Sequence, residues 1–179
     1  MTPTSENLSY PIGKFQKPGK ITAGQRAAYL ADIAAFPARL CSAAINLSDA
    51  QLDTPYRPGG WTIRQLIHHV ADSHMNAYIR FKLTLTEDNP TIRPYEEQDW
   101  AELPEARTAP ISLSLDLLTH LHRRWVEALK ALREEDYQRS YFHPADKATV
   151  TLETAMGLYA WHCNHHLAHL TRLVEREGW

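Results

Sequence analysis

The sequence predicts an all-α protein whose 179 residues form a single domain, 1–179, built as a four-helix bundle. Three observations lead to this prediction. Four segments of about twenty residues carry apolar side chains at helical spacing. Capping residues, prolines and glycines mark where these segments begin and end. The connections between them are too short or too irregular to build a sheet.

Composition and charge narrow the classes of function. A content of 44% hydrophobic and 22% charged residues is typical of a soluble globular protein, and a net charge of −2 gives no reason to expect a nucleic-acid partner. There is no signal-peptide pattern and no apolar run of about 18 residues that could span a membrane. Cys41 and Cys163 lack CxxC spacing, which predicts free thiols in a reducing cytoplasm. We therefore expect a cytoplasmic protein without a nucleic-acid or membrane partner, and a small-molecule substrate is the partner that we predict.

The N-terminal part predicts an arm followed by the first helix. Prolines and glycines in the first 20 or so residues favour an extended arm, and "LSYPIGKF" is apolar enough to dock on the domain. The first helix begins at Thr22 or just after it, and Pro37 is expected to kink it or to start a new first turn. "SDAQLDTPYRPGG" is then a connector.

The second helix has the clearest beginning. Thr62 and Gln65 have the spacing of a capping box, so a long helix is expected from about Ile63 to about Thr86. "DNPTIRP" ends it, because its two prolines oppose a helix. Residues 95–111 are expected to form a polar link with one short helical turn.

Two further helices complete the bundle. A helical stripe of apolar residues predicts the third from Leu113 to Leu132. "DYQRSYFHPADKATVTL" has β-prone runs on both sides of "PADK", which predicts a small hairpin near residues 140–151. The last helix is expected from about Leu152 to about Glu175, with Gly178 just past its end.

The last helix contains a cluster of four histidines in "LYAWHCNHHLAHL", residues 158–170. On a helical wheel they fall within an arc of roughly 100°, and 162/166 and 165/169 form two i,i+4 pairs. The apolar residues of the helix place His162 and His166 beside the buried face. His165 and His169 point progressively outward, which predicts that they are rim or surface residues. We therefore predict His162 and His166 as a metal-binding pair, because ligands in a bundle core must project inward.

The cluster does not fit a zincin metalloprotease. That class needs HExxH, and here "HCNHH" has Cys163 where the general-base Glu would stand. Cys163 lies toward the apolar face and is expected to be a packing residue.

A third ligand is expected from "IHHVADSH" on the second helix. His68 points furthest from the apolar stripe, and periodicity leaves the choice between His69 and His74 open. Three histidines would leave coordination positions free for water, as in catalytic rather than structural zinc sites. We expect His120, His122 and His143 to be ordinary polar residues.

Three stretches of the chain together resemble the YfiT group of the DinB-like superfamily, whose members are described as metal-dependent hydrolases. They are "LSYPIGKF", "QLDTPYRPGGWTIRQLIHHVADSHMNAYIRFKL" and "LYAWHCNHHLAHL", and the match, including "TIRPYEEQDWAEL", runs nearly end to end. The resemblance implies an up-down-down-up four-helix bundle and a divalent metal held by His69, His162 and His166. It also implies zinc or nickel as the ion, with zinc favoured, and a homodimer.

Three functions remain open at this point. The first is metal-assisted hydrolysis, with Asp72, Ser73 or Tyr159 as candidates for the base or orienting group. The second is transfer of a low-molecular-weight thiol such as bacillithiol, with Arg64 or Arg80 binding the carboxylates of the thiol. The third is a bundle that only senses or stores the ion.

Overall fold

The structure is a computed structural model that describes residues 8–179, and its four long helices form the predicted four-helix bundle. These helices are α1 (Ala23–Ala44), α3 (Ile63–Thr86), α6 (Ser112–Lys130) and α7 (Leu152–Glu177). Helices α1 and α3 each pack against both α6 and α7, so α1 and α3 lie across a diagonal of the bundle. None of the described helices is long and apolar enough to cross a membrane.

The core lies between these helices and is lined by large apolar side chains. Fully buried examples from the four long helices are Phe36, Leu40, Ile67, Leu118, Trp125 and Met156. Burial of such side chains is the main source of stability in a domain of this size.

The capping box that the sequence predicts for α3 is present. The hydroxyl of Thr62 accepts a hydrogen bond from the backbone N–H of Gln65 at 3.2 Å, and the side-chain oxygen of Gln65 accepts one from the Thr62 N–H at 3.0 Å. These bonds satisfy two donors that would be orphaned at a helix start. They fix the beginning of α3 two turns before His69.

Pro37 lies inside α1, and the helix continues through it, so no new first turn forms. Proline has no backbone N–H, and in an α-helix that N–H would bond to the carbonyl four residues earlier. The carbonyl of Ile33 therefore lacks its helical donor and is free to accept another.

The connections are more ordered than the sequence predicts. Short helices α2 (Asp49–Leu52), α4 (Glu97–Ala101) and α5 (Pro104–Thr108) occupy them. The segment after α1 is a connector, as expected, and within it Ser48 and Gln51 form a capping box that starts α2. Residues 95–111 contain two short helices, not one.

The predicted hairpin is confirmed. After a 3-10 turn at Glu134–Gln138, β1 (Ser140–His143) pairs antiparallel with β2 (Ala148–Thr151). Helix α7 follows β2 directly and ends at Gly178, whose φ of 72° is the left-handed conformation that glycine adopts without strain.

The N-terminal arm is docked as expected from Leu8 onward. Leu8 and Ser9 are helical, and residues 10–22 are irregular, while the prediction for residues 1–7 lies outside the described part of the chain. The carbonyl of Gly13 accepts a hydrogen bond from Trp161 Nε1 at 3.1 Å, and that of Ser9 lies 3.2 Å from His169 Nε2. The arm therefore covers one face of α7.

Candidate metal centre

Three histidines from two helices meet in the bundle. Helix α3 supplies His69, and α7 supplies His162 and His166, one turn apart. One ring nitrogen from each lies within 4.8 Å of the others, and the Nε2 atoms of His162 and His166 are 3.2 Å apart. The structure thus brings together the three residues that the resemblance implies.

These imidazoles are suited to bind a metal because they are held neutral. Burial lowers the pKa of His69 to about 4 and lowers the pKa values of His162 and His166 well below the usual 6.5. Repulsion between neighbouring imidazolium groups adds to the effect of burial. Metal ligation requires the neutral form of histidine.

His74, the alternative that periodicity left open, has a different place. It is completely buried, and its Nε2 lies 3.0 Å from Nδ1 of His162, the ring nitrogen on the other side from His166. His74 therefore contacts His162 through the ring nitrogen that does not face His166, and it does not belong to the three-histidine group.

A chain of histidines continues from His74 to the opposite side of the bundle. Nδ1 of His74 is 2.8 Å from Nε2 of His122, and Nδ1 of His122 is 2.7 Å from the carbonyl oxygen of Ile33. The expectation that His122 is an ordinary polar residue was wrong, because α6 directs its ring into the core, where it is 1% exposed.

The expectation that His165 and His169 are rim or surface residues was also wrong. They are 7% and 4% exposed. Tyr56 stacks on His169 at 4.1 Å between ring centroids, Trp161 stacks on His165 at 4.4 Å, and the N-terminal arm closes over both. The helical wheel of α7 could not include these covering groups.

His165, His166 and His169 form a second group with ligand atoms within 4.8 Å of one another among the described residues. The Nδ1 atoms of all three are buried without a hydrogen-bond partner. All three lie on α7 alone, whereas the first group joins two helices.

His68 is also buried, despite its position away from the apolar stripe. Its ring nitrogens lie 2.7 Å from Ser114 Oγ and 3.2 Å from the carbonyl of Ala109. Helices α5 and α6 cover that side of α3, so His68 serves packing between helices.

A cavity of about 510 Å³ opens above the three-histidine group. Its walls combine aromatic and polar side chains with one carboxylate, Glu97, and one arginine, Arg57. Trp61 packs on His69 at 4.5 Å between ring centroids and donates a hydrogen bond from Nε1 to Gln98 at 3.1 Å. This bond holds α4, and Glu97 with it, against the cavity.

Glu97 is the functional candidate that sequence reasoning missed. Its side chain is exposed at the cavity, where partial burial raises the pKa of the carboxyl and the charge of Glu96 raises it further. It lies in the first turn of a five-residue helix within a link that the sequence marks only as polar. No spacing relative to the histidines could have indicated it.

The predicted base candidates do not line the cavity wall. Burial raises the pKa of Asp72 to about 6, and the negative charge of Glu105 raises it further. Asp72 is not part of the cavity lining. Ser73 is buried and is not part of the cavity lining. Tyr159 is buried beside the His162 ring at 5.8 Å between centroids, which makes it a packing partner of that ligand.

The two arginines proposed to bind a thiol's carboxylates are also elsewhere. Arg64 is 5% exposed and is paired with Asp49 and Asp53, both at 2.7 Å. Arg80 lies beside Tyr159 and is not part of the cavity lining. Arg57 is the arginine that lines the cavity, and it has no carboxylate within ion-pair distance among residues 8–179.

Cys163 is a packing residue, as expected. It is completely buried, and burial raises the pKa of its thiol well above the usual value. A protonated, inaccessible thiol is inert, both as nucleophile and as ligand.

The buried histidines predict a strong acid sensitivity of the metal-free protein. The unfolded chain takes up protons near pH 6.5, whereas burial holds the pKa values of His69, His122 and His165 at about 4 and that of His169 at about 3. The free energy of unfolding should therefore fall as pH is lowered from 6.5 toward 4, by on the order of 1 kcal/mol per histidine per pH unit. Asp72 and Glu97, whose pKa values burial raises, act in the opposite direction but are only two groups.

Urea unfolding of the metal-free protein between about pH 7.5 and about pH 4.5 measures this slope. The variant His169→Phe should flatten it, and His120→Phe, at an exposed position, should leave it unchanged. A free energy of unfolding that is constant across this range would contradict the prediction.

Comparison with known proteins identifies the family of the chain. The family model of the DinB superfamily matches residues 33–170. The chain is 51% identical over 176 residues to "Putative metal-dependent hydrolase YfiT" of Bacillus subtilis (strain 168), covering 98% of this chain and 99% of that protein. It is 54% identical over 173 residues to a "Putative metal-dependent hydrolase" of Bacillus pumilus, covering 97% and 98% of the two chains.

A solved structure gives the same result. YfiT from Bacillus subtilis, described as "a probable metal-dependent hydrolase with an unusual four-helix bundle topology", superposes with a TM-score of 0.95 at 51% identity, covering 97% of this chain and 99% of that chain. The fold and the extent of the match agree, and the chain belongs to the DinB superfamily.

Proposed function

We propose that the protein is a metal-dependent hydrolase in which His69, His162 and His166 hold one divalent ion. The observation that carries this proposal is three neutral imidazoles from two helices, with ring nitrogens within 4.8 Å of one another, at the base of a cavity. The names of the relatives in Bacillus subtilis and Bacillus pumilus support the same class of activity.

The distances suit such an ion. Two nitrogens bound to one tetrahedral zinc at 2.0–2.1 Å lie about 3.3–3.4 Å apart. The Nε2 atoms of His162 and His166 are 3.2 Å apart, so they need little movement to share an ion. Three protein ligands leave at least one coordination position open, as in catalytic zinc sites.

An ion held by His69, His162 and His166 would supply a lowered pKa of bound water and polarisation of the bond to be cleaved. The residues of the chain supply the rest of the reaction. Glu97, on the cavity wall, accepts the proton of the attacking water, and its raised pKa suits it to return that proton to the leaving group. Trp61 and the other aromatic side chains of the wall would contact the substrate.

The identity of the ion, the compartment and the assembly stay predictions. Imidazole nitrogens suit zinc and nickel alike, and zinc is the favoured ion. A cytoplasmic homodimer that acts on a small molecule, without nucleic acid or membrane, is the expected context. Light scattering of the purified protein tests the dimer.

Thiol transfer is the second candidate, and Arg57 is the observation that favours it. Its guanidinium lines the cavity, stacks 5.4 Å from the ring of Tyr56 and has no carboxylate partner in the described part of the chain. A carboxylate-bearing thiol would satisfy that charge. Arg57 takes the role first expected of Arg64 or Arg80.

The two functions are separated by assaying metal-free and metal-reloaded protein side by side. One panel contains esters, amides and lactones, and the other contains an electrophile with bacillithiol, glutathione or coenzyme A. Metal-dependent turnover of the first panel supports the hydrolase, and metal-dependent conjugation in the second supports the transferase. If the metal-loaded protein shows no turnover in either panel, both enzymatic functions are contradicted and a protein that senses or stores the ion is supported.

A further inference from the structure

We propose that His74 and His122 are positioning residues which hold His162 in the tautomer that binds metal, anchored on the backbone carbonyl that Pro37 leaves open. The proposal rests on the proposed metal site, because it concerns the ligand His162. It assigns a role to two histidines that contact no substrate.

The anchor of the chain is the carbonyl of Ile33 in α1. Its helical donor would be the N–H of residue 37, which proline lacks. Nδ1 of His122 lies 2.7 Å from this oxygen. A carbonyl oxygen only accepts hydrogen bonds, so Nδ1 of His122 carries the proton.

The direction of the remaining bonds follows from this anchor. A neutral imidazole has one N–H and one bare nitrogen, so Nε2 of His122 accepts a hydrogen bond from Nδ1–H of His74 at 2.8 Å. Nε2 of His74 is then bare and accepts from Nδ1–H of His162 at 3.0 Å. Nε2 of His162 keeps its lone pair, and this atom faces His166.

The surroundings keep His74 and His122 neutral. The rings of Phe36 and Trp125 lie 5.4–5.9 Å from both imidazoles between centroids, and no carboxylate is bonded to either of them in residues 8–179. His74 is completely buried and His122 is 1% exposed, so a charge on either would be poorly solvated.

Without the carbonyl of Ile33 as acceptor, the hydrogen bonds that link His122, His74 and His162 could have the opposite donor-to-acceptor direction. His74 would then carry its proton on Nε2 and donate to Nδ1 of His162. That bond would force the proton of His162 onto Nε2, the nitrogen that faces the metal. Fixing the tautomer from the far end therefore removes a competing state in which His162 cannot bind.

Metal-bound histidines usually donate their second N–H to a carboxylate, a backbone carbonyl or a water. Here a backbone carbonyl is reached through two further imidazoles. Mutation of such outer partners typically weakens metal binding by about 10–100-fold, and we expect an effect of this size here.

The tautomers are measured directly on the metal-free, ¹⁵N-labelled full chain. Long-range ¹H–¹⁵N spectra distinguish protonated from bare ring nitrogens. We expect Nδ1–H in His122, His74 and His162. A proton on Nε2 of His74 or His122 overturns the proposal, whether or not the protein binds metal.

Variants test the consequence for zinc affinity. His122→Phe keeps the ring volume but removes the anchor, and we expect zinc to bind about 10–100-fold more weakly. His120→Phe, on the same helix but exposed, should bind like the wild type. A folded His122→Phe protein with wild-type affinity and an unchanged His162 tautomer overturns the proposal.

His74→Gln separates positioning from packing. The side-chain oxygen of glutamine can accept the bond from His162 Nδ1–H without help from His122. In the His74→Gln background, His122→Phe should therefore cost nothing beyond the roughly twofold scatter of independent sites. An equal loss in both backgrounds would show that His122 acts through packing and would overturn its positioning role.

The same spectra distinguish a wrong metal site from a wrong positioning role of His74 and His122. If the wild type shows the expected tautomers but zinc does not perturb the signals of His69, His162 and His166, the metal site is wrong and the histidine chain stands. If zinc binds there but the tautomers differ, the metal site stands and the positioning role is wrong. If His122→Phe does not fold, the wild-type spectra decide.

Discussion

The variant His162→Ala is expected to lose stoichiometric metal binding. It removes one of three ligands and leaves two, on different helices. The loss should exceed the upper end of the 10–100-fold range that outer partners cost, which corresponds to more than about 2.7 kcal/mol of binding free energy. Turnover that depends on the metal should disappear with it.

Metal analysis of the purified wild type and variant, followed by zinc titration of the metal-free forms, measures this loss. His120→Ala is the matched control, since it removes an exposed histidine outside both histidine groups. His169→Ala tests the second group on α7. Stoichiometric metal in His162→Ala together with loss in His169→Ala would move the site to His165, His166 and His169.

Local sequence patterns were enough to predict the elements that frame this site. The capping box at Thr62 and the stripe of α7 each depend on residues within a few turns, so periodicity and hydrogen-bonding chemistry determine them. The beginning of α3 and the hairpin were predictable for this reason, as was the spacing that places His162 and His166 one turn apart. The choice of His69 over His74 came from the resemblance to the family, because both lie near the apolar face of α3.

Contacts between distant segments could not be predicted in this way. His165 and His169 are buried by Tyr56, Trp161 and the arm, which a wheel of one helix does not contain. His122 is 89 residues from Ile33 along the chain. One signal was present: a proline inside a helix always leaves a carbonyl without its donor, and a buried histidine on another helix is a suitable replacement.

Glu97→Gln is expected to lower metal-dependent hydrolysis by about 10²–10⁴-fold while leaving zinc affinity unchanged. Glutamine keeps the shape of the side chain but cannot accept the proton of the attacking water. The carboxyl lines the cavity, and no ligand of the three-histidine group depends on it. Turnover and zinc affinity should therefore separate in this variant, whereas His162→Ala should lose both.

The dependence of turnover on pH tests the same role of Glu97. A general base works only when deprotonated, so wild-type turnover should fall as pH is lowered through the pKa of Glu97, which burial and Glu96 raise above the usual carboxyl value. Glu97→Gln should lose this acidic limb along with most of its rate. Glu96→Gln is the matched control, because Glu96 precedes Glu97 in the chain and is exposed as Glu97 is, but does not line the cavity. Equal rates and equal profiles in the two variants, measured on the ester or lactone that the wild type hydrolyses fastest, would exclude Glu97 as the base and leave water activation to the ion alone.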